Sequence, residues 1–141
     1  MINTGNPYIP EKFRILKVFR ETNDTATFRI SCRTKNMPGQ FFQAALLGIG
    51  ECPISICSHS DNHVELCARN VGNVTKAMHS LKPGDHVWLR GPYGNGYPMH
   101  EFYGKDVLLI GGGTGTAPLR GALEHIKKNS SSICFPMKWK N

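Results

Sequence analysis

Four short stretches of this sequence have residue types and spacing that suit chemistry with anions and flat rings. The first is Gly111-Gly112-Gly113-Thr114-Gly115-Thr116-Ala117-Pro118. Glycines let a backbone pass close to a pyrophosphate, and a helix that follows points its first N–H groups at the anion. No Gly-Lys-Ser/Thr follows, so the stretch is not a nucleotide-triphosphate loop of the Walker type. It also departs from the full dinucleotide fingerprint. Pro118 stands where the third glycine after Gly113 and Gly115 would fall, and no acidic residue lies about 20 positions on to meet a ribose. A tight strand-to-helix turn would use the same glycines. The second stretch, Gly72-Asn73-Val74-Thr75, reads either as a phosphate-binding helix start, to which the Thr75 hydroxyl adds a donor, or as an ordinary N-cap. In the third, Pro53-Ile54-Ser55-Ile56, a hydroxyl among apolar residues would offer a ring one polar contact, or belong to a routine strand. The fourth, Gly91-Pro92-Tyr93-Gly94-Asn95-Gly96-Tyr97, reads by itself as a turn. No side chains form an evident acid–base pair or activated nucleophile.

These stretches need elements to hold them. From Lys12 to about Pro92 the pattern is one of short strands. Over Thr27 to Arg33, Phe28, Ile30 and Cys32 alternate with Arg29, Ser31 and Arg33, so the first set faces a core and the second faces water. His63 to Arg69 repeats this, with Val64, Leu66 and Ala68 inward. Gly39 to Leu46 and Pro53 to Ser58 are further strands, and Val87 to Arg90 follows a Lys82-Pro83-Gly84-Asp85 turn. Val74, Ala77, Met78 and Leu81 form the apolar stripe of one short helix, capped by Asn73 or Thr75. Beyond Gly104 the pattern changes. Val107-Leu108-Leu109-Ile110 suits a strand buried on both faces of a parallel sheet. The glycine loop follows, then a helix with Leu119, Ala122, Leu123 and Ile126 as its inner stripe. A boundary is expected near 98–105. Residues 1–100 are expected to form one β domain, 101–128 the first strand–loop–helix of a second, and 129–141 an irregular tail with no further strand–helix unit.

The totals limit the choices. The chain has 141 residues, 40% of them hydrophobic and 19% charged, which suits one globular domain, or one domain and a fragment. Its five cysteines, at 32, 52, 57, 67 and 134, are odd in number and form no CxxC, which argues for small reduced core residues over a disulfide framework or zinc site. The net charge of +7 is scattered, without the aromatic-interleaved basic face that nucleic acid requires. Its sign suits an acidic protein partner or a phosphate-bearing cofactor. No apolar run reaches the length of a membrane span, and the first residues lack a signal peptide's basic and apolar regions, so a cytoplasmic location is expected.

Taken together and in order, the motifs resemble the ferredoxin–NAD(P) reductase superfamily, over a stretch from Asn6-Pro7-Tyr8 to about Ile126. They include Pro38-Gly39-Gln40-Phe41-Phe42, Gly72-Asn73-Val74-Thr75, Leu81-Lys82-Pro83-Gly84-Asp85, Arg90-Gly91-Pro92-Tyr93-Gly94 and Gly112 to Leu119. The nearest likeness is to its flavin-bearing electron-transfer subunits, those of sulfhydrogenase (gamma), anaerobic sulfite reductase (B) and dihydroorotate dehydrogenase. The resemblance implies a mainly β fold: a six-stranded antiparallel Greek-key barrel that binds FAD, then the start of an α/β domain for NAD(P)H. It implies a flavin site made of Pro53, Ile54, Ser55, Ile56, Arg69, Asn70, Val71, Gly72, Val74 and Thr75, and a nucleotide loop made of Gly113, Thr114, Gly115 and Thr116. The family's barrel carries an Arg-x-Tyr-Ser/Thr strand, and the aligned residues here are Cys52-Pro53-Ile54-Ser55. Ser55 matches, while Ile54 replaces the stacking aromatic and Cys52 the phosphate-binding Arg. Arg69 and the amides of Gly72 to Thr75 are the expected compensation. The implied function is an electron-transfer flavoprotein passing electrons between NAD(P)H, FAD and a catalytic or iron–sulfur partner subunit. The [2Fe–2S] ligands that close relatives carry near their C-terminus have no counterpart in this sequence. The alternative is a non-catalytic FAD-binding module, or a truncated remnant without turnover of its own.

Overall fold

The computed structural model of the chain describes Asn6 and residues 8–129, so the expected tail, Cys134 and the first residues lie outside the described part. Six strands are present: β1 (Glu11–Arg20), β2 (Thr25–Ile30), β3 (Phe41–Leu46), β4 (Gly50–His59), β5 (Val64–Arg69) and β6 (His86–Tyr93). They close into an antiparallel barrel in the order β1-β2-β5-β4-β3-β6, the non-sequential order of a Greek key. Helix α1 (Asn73–His79) joins β5 to β6, and α2 (Thr116–Asn129) follows the glycine loop.

The alternation sets the core. Phe28, Ile30, Val64 and Leu66 are completely buried, as are Phe42, Ala44, Val87 and Leu89. Cross-strand register brings them together: Phe28 faces Leu66, and Ile30 faces Val64. Met78 and partly buried Ala77 of α1 join the same cluster, as the helical stripe predicts.

Three expected elements differ. The strand expected over 27–33 ends at Ile30, because the Ser31 N–H turns to the Arg14 carbonyl and the Cys32 N–H to that of Ile30. The strand expected from Pro53 begins at Gly50. Residues 50–55 have β3 along one edge, and pairing with β5 on the other starts only at Ile56. A proline, which has no N–H to give, is tolerated in such a one-sided stretch. The strand expected at Val107 to Ile110 is not formed. Leu108 is 82% exposed and Ile110 81% exposed. No strand among the described residues lies beside this segment, and an isolated strand leaves its backbone groups unpaired.

Cys32 and Cys57 are buried, and Cys52 and Cys67 half-buried. Burial pushes the Cys32 and Cys57 thiols up to about 12. Both therefore stay protonated and inert at ordinary pH. N-ethylmaleimide at pH 8, followed by mass spectrometry, is expected to leave Cys32 and Cys57 unlabelled until denaturant is added; rapid native labelling of either would contradict the packing.

No helix among the described residues is long and apolar enough to cross a membrane.

Candidate cofactor-binding site

Because β5 leaves β4 at Ile56, a gap opens between residues 50–55 and the start of α1. This gap is a cleft of about 350 Å³. Gly50, Glu51 and Cys52 form one wall, Gly72 to Thr75 the other, and Ile49 and Val71 the rim. No lysine or arginine lines it. Its acidic side chain, Glu51, is bound by the Arg90 guanidinium, which lowers the Glu51 carboxyl from its usual value.

The α1 wall is held by one side chain. Thr75 is 7% exposed, and its Oγ1 accepts the N–H groups of both Val71 and Gly72, each at 3.0 Å. Its own proton goes to the Gly72 carbonyl, also at 3.0 Å. The hydroxyl is therefore committed within the loop and has no proton left for a phosphate, contrary to the expectation from the motif. Gly72 is the N-cap, in place of the expected Asn73 or Thr75. Asn73, Val74 and Thr75, the first turn of the helix, line the cleft, and their amides have no partner within the helix. A Cβ added at Gly72 would enter open space, and one at Gly50 would lie 3.4 Å from Val74 Cγ2.

Along β4, Ile54 and Ile56 point into the core, 8% and 2% exposed, while Pro53 and Ser55 lie on the outer face. Ser55 is paired with Phe41 of β3, and Phe41 with Tyr93 of β6. These two rings lie 5.8 Å apart, so an aromatic surface stands beside the hydroxyl. Arg69 does not enter the cleft. Its Nε donates to Asp24 Oδ2 at 2.6 Å. Hydrogen bonds from Arg69, then Thr22 and Thr25, hold the Asp24 carboxyl down to about 2. The Asn70 N–H is given to the Asp24 carbonyl.

The glycine loop stands apart from the cleft. Gly113–Gly115 forms a short 3-10 turn that touches β5, and Thr116 Oγ1 donates to the Gly113 carbonyl at 2.8 Å. The helix after it meets the barrel along a stripe that only partly coincides with the expected one. Of the expected stripe, Ala122 is completely buried, whereas Leu119, Leu123 and Ile126 are only half-buried; Ala117, Gly121 and Glu124 run along the barrel side. Glu65, assigned by alternation to water, is 2% exposed and bound by Arg29 and Arg120. Its signal was the cross-strand pairing with Arg29, visible only once β2 and β5 are known to be neighbours.

No protein-family model matches the chain. It is 43% identical to the sulfhydrogenase 1 gamma subunit of Pyrococcus furiosus over 138 residues, covering 92% of this chain and 47% of that one. It is 38% identical over 112 residues to a probable dihydroorotate dehydrogenase B electron transfer subunit of Methanocella arvoryzae, covering 78% of this chain and 41% of that one. Among solved structures, an Amycolatopsis cytochrome P450 reductase superposes with a TM-score of 0.71 at 29% identity, over 82% of this chain and 39% of that one. The chain belongs to the ferredoxin–NAD(P) reductase-type superfamily. A ferredoxin–NADP+ reductase of Plasmodium falciparum shares the fold, with a TM-score of 0.74 at 18% identity over 91% of this chain and 57% of that one.

This reductase-type chain spans less than half the length of the sulfhydrogenase gamma subunits it matches. Within its barrel, the expected flavin residues fall into four groups. Val71, Gly72, Val74 and Thr75 build the cleft; Pro53 and Ser55 face outward beside it; Ile54 and Ile56 belong to the core; Arg69 and Asn70 are tied to the β1–β2 turn. The structure does not bring Gly113 to Thr116 into the cleft.

Proposed function

We propose that this chain is the flavin-carrying part of an electron-transfer oxidoreductase, with FAD lying along the open edge of β4. One observation carries this reading: a strand edge without a partner and the first turn of a helix form the two walls of one cleft, which no lysine or arginine lines. The donor set fits a diphosphate-linked flavin. The amides of Asn73, Val74 and Thr75 would hold the diphosphate, the partial positive charge of the helix start adding about 0.3–1 kcal/mol. The Ser55 hydroxyl would meet the ring's polar edge, and Ile54, whose side chain is in the core, would serve through its backbone alone. When bound, the flavin supplies the redox chemistry, taking electrons in pairs and releasing them singly. The chain's own residues bind it, orient it and shield it from water.

The names of the relatives, a sulfhydrogenase gamma subunit and an electron transfer subunit, support a place within a larger redox complex beside a catalytic or iron–sulfur subunit. We assign the barrel to residues 1–100 and the start of an NAD(P)H unit to 101–128, with Gly113 to Thr116 as its phosphate loop. A second reading, an FAD-binding module without turnover, is favoured by the exposure of Leu108 and Ile110, beside which no strand lies among the described residues.

The purified chain, mixed with FAD and passed through a desalting column, is expected to retain about one flavin per chain, seen as a structured visible spectrum with quenched fluorescence. A colourless eluate would defeat both readings. Bleaching of the retained flavin by NADH without oxygen selects the first, and an unbleached flavin selects the second.

A further inference from the structure

We propose that Arg120 is a positioning residue whose bond to buried Glu65 seats α2 on the barrel and thereby fixes where the Gly113–Thr116 loop stands relative to the flavin. This rests on the function proposed above. The two carboxylate oxygens of Glu65 are divided between two elements. Oε1 takes Arg29 of β2, with Nη2 at 2.7 Å and Nε at 2.9 Å. Oε2 takes Arg120 Nη2 of α2 at 2.9 Å. One half of the buried charge is thus satisfied within the barrel, and the other half requires the helix.

A second polar contact fixes the rotation of α2. Arg120 Nε donates to Glu124 Oε1 at 3.0 Å, and Ser58 of β4 donates to Glu124 Oε2 at 2.6 Å. Between the two contacts the backbones meet. A Cβ on Gly121 would lie 3.7 Å from the carbonyl oxygens of both Ile56 and Cys57. That is ordinary van der Waals distance, so the helix lies against the β4 backbone there, and the flanking polar contacts set its register. Polar interfaces between parts of one chain ordinarily permit relative motion. Here Glu65 is shielded by the barrel, so its pair with Arg120 is screened less than a pair exposed on both sides. The glycine loop runs without interruption into α2, and Arg120 lies one turn past Thr116, about 6 Å along the axis. Any swing of the helix therefore carries the loop with it.

The test compares the FAD-loaded full chain with R120M, R120K and E124Q by hydrogen exchange and rapid mixing. In R120M, Glu65 keeps Arg29, so the barrel strands and the flavin content are expected to hold. Amides over 111–129 should exchange about tenfold faster or more, because the seat is lost locally. R120K restores most of the protection through its charge, and E124Q loses about threefold. Loop and helix move together, so the NADH concentration for half-saturation should stay within about twofold while the limiting rate of flavin reduction falls about tenfold. A role in stability alone would leave that limiting rate unchanged in the flavin-loaded fraction, and this result overturns the proposal. Parental exchange over 111–129 in R120M also overturns it, as does an equal loss of protection across β1–β6. Should the unmutated chain hold no FAD, the proposed function fails on its own, and the exchange pattern still decides whether Arg120 seats the helix.

Discussion

A chain carrying Arg29→Met together with Arg120→Met is expected to lose about 3–5 kcal/mol of folding stability, the usual consequence of leaving a buried charge without its partners. Glu65 is 2% exposed, and each of its oxygens is held by a different arginine. Either single change leaves one guanidinium in place. The double change leaves none, and β5 and β2 must then separate enough to admit water. Domains of this size have a total stability of about 5–15 kcal/mol, so the loss is a large fraction of the whole. In urea the unfolding midpoint should drop by about 2 M, given slopes of about 1–3 kcal/mol per M. Adding Glu65→Leu to the double variant is expected to recover most of the loss, since an apolar side chain needs no partner there. A double variant that melts with the parent would show that Glu65 is solvated without its arginines.

The same residue shows what could and could not be read from the sequence. Alternation identifies the inner face of a strand reliably, because one face of each barrel strand meets the core whatever else the chain does. Phe28, Ile30, Cys32, Val64, Leu66 and Ala68 were assigned in this way, and all are buried. The outer face depends on what covers it. Glu65 is roofed by α2, more than 50 positions later in the chain, and no local pattern carries that information. In β1 the alternation is broken by a register shift between Ile15 and Lys17, which exposes Leu16 and Lys17 consecutively. Leu108 and Ile110 have the composition of a buried strand, but composition cannot provide the neighbouring strands that burial requires. The α1 loop was legible as a motif, while the role of Thr75 within it was not. A hydroxyl at a helix start serves equally well facing a ligand or facing its own loop, and only geometry separates the two.

That geometry sets the largest expected effect on binding. Thr75→Val keeps the shape of the side chain and removes its oxygen. The Val71 and Gly72 N–H groups then lose their acceptor, and the Gly72 carbonyl loses a donor. An unsatisfied polar group costs about 1–3 kcal/mol where it stays buried. Here the loop has an escape, since Val71 is 76% exposed and the freed amides reach water if the turn opens. Opening re-aims the amides of Asn73, Val74 and Thr75, which are the proposed diphosphate ligands. The cost therefore falls mainly on FAD, whose affinity should weaken about tenfold to hundredfold, or about 1.4–2.8 kcal/mol. Global stability should change by only about 1 kcal/mol. Thr75→Ser keeps the hydroxyl and should bind within about threefold of the parent. Fluorescence titration of FAD into the three proteins makes the comparison. If the valine variant holds FAD as tightly as the parent, the α1 amides are not its diphosphate site, whatever the cleft's shape.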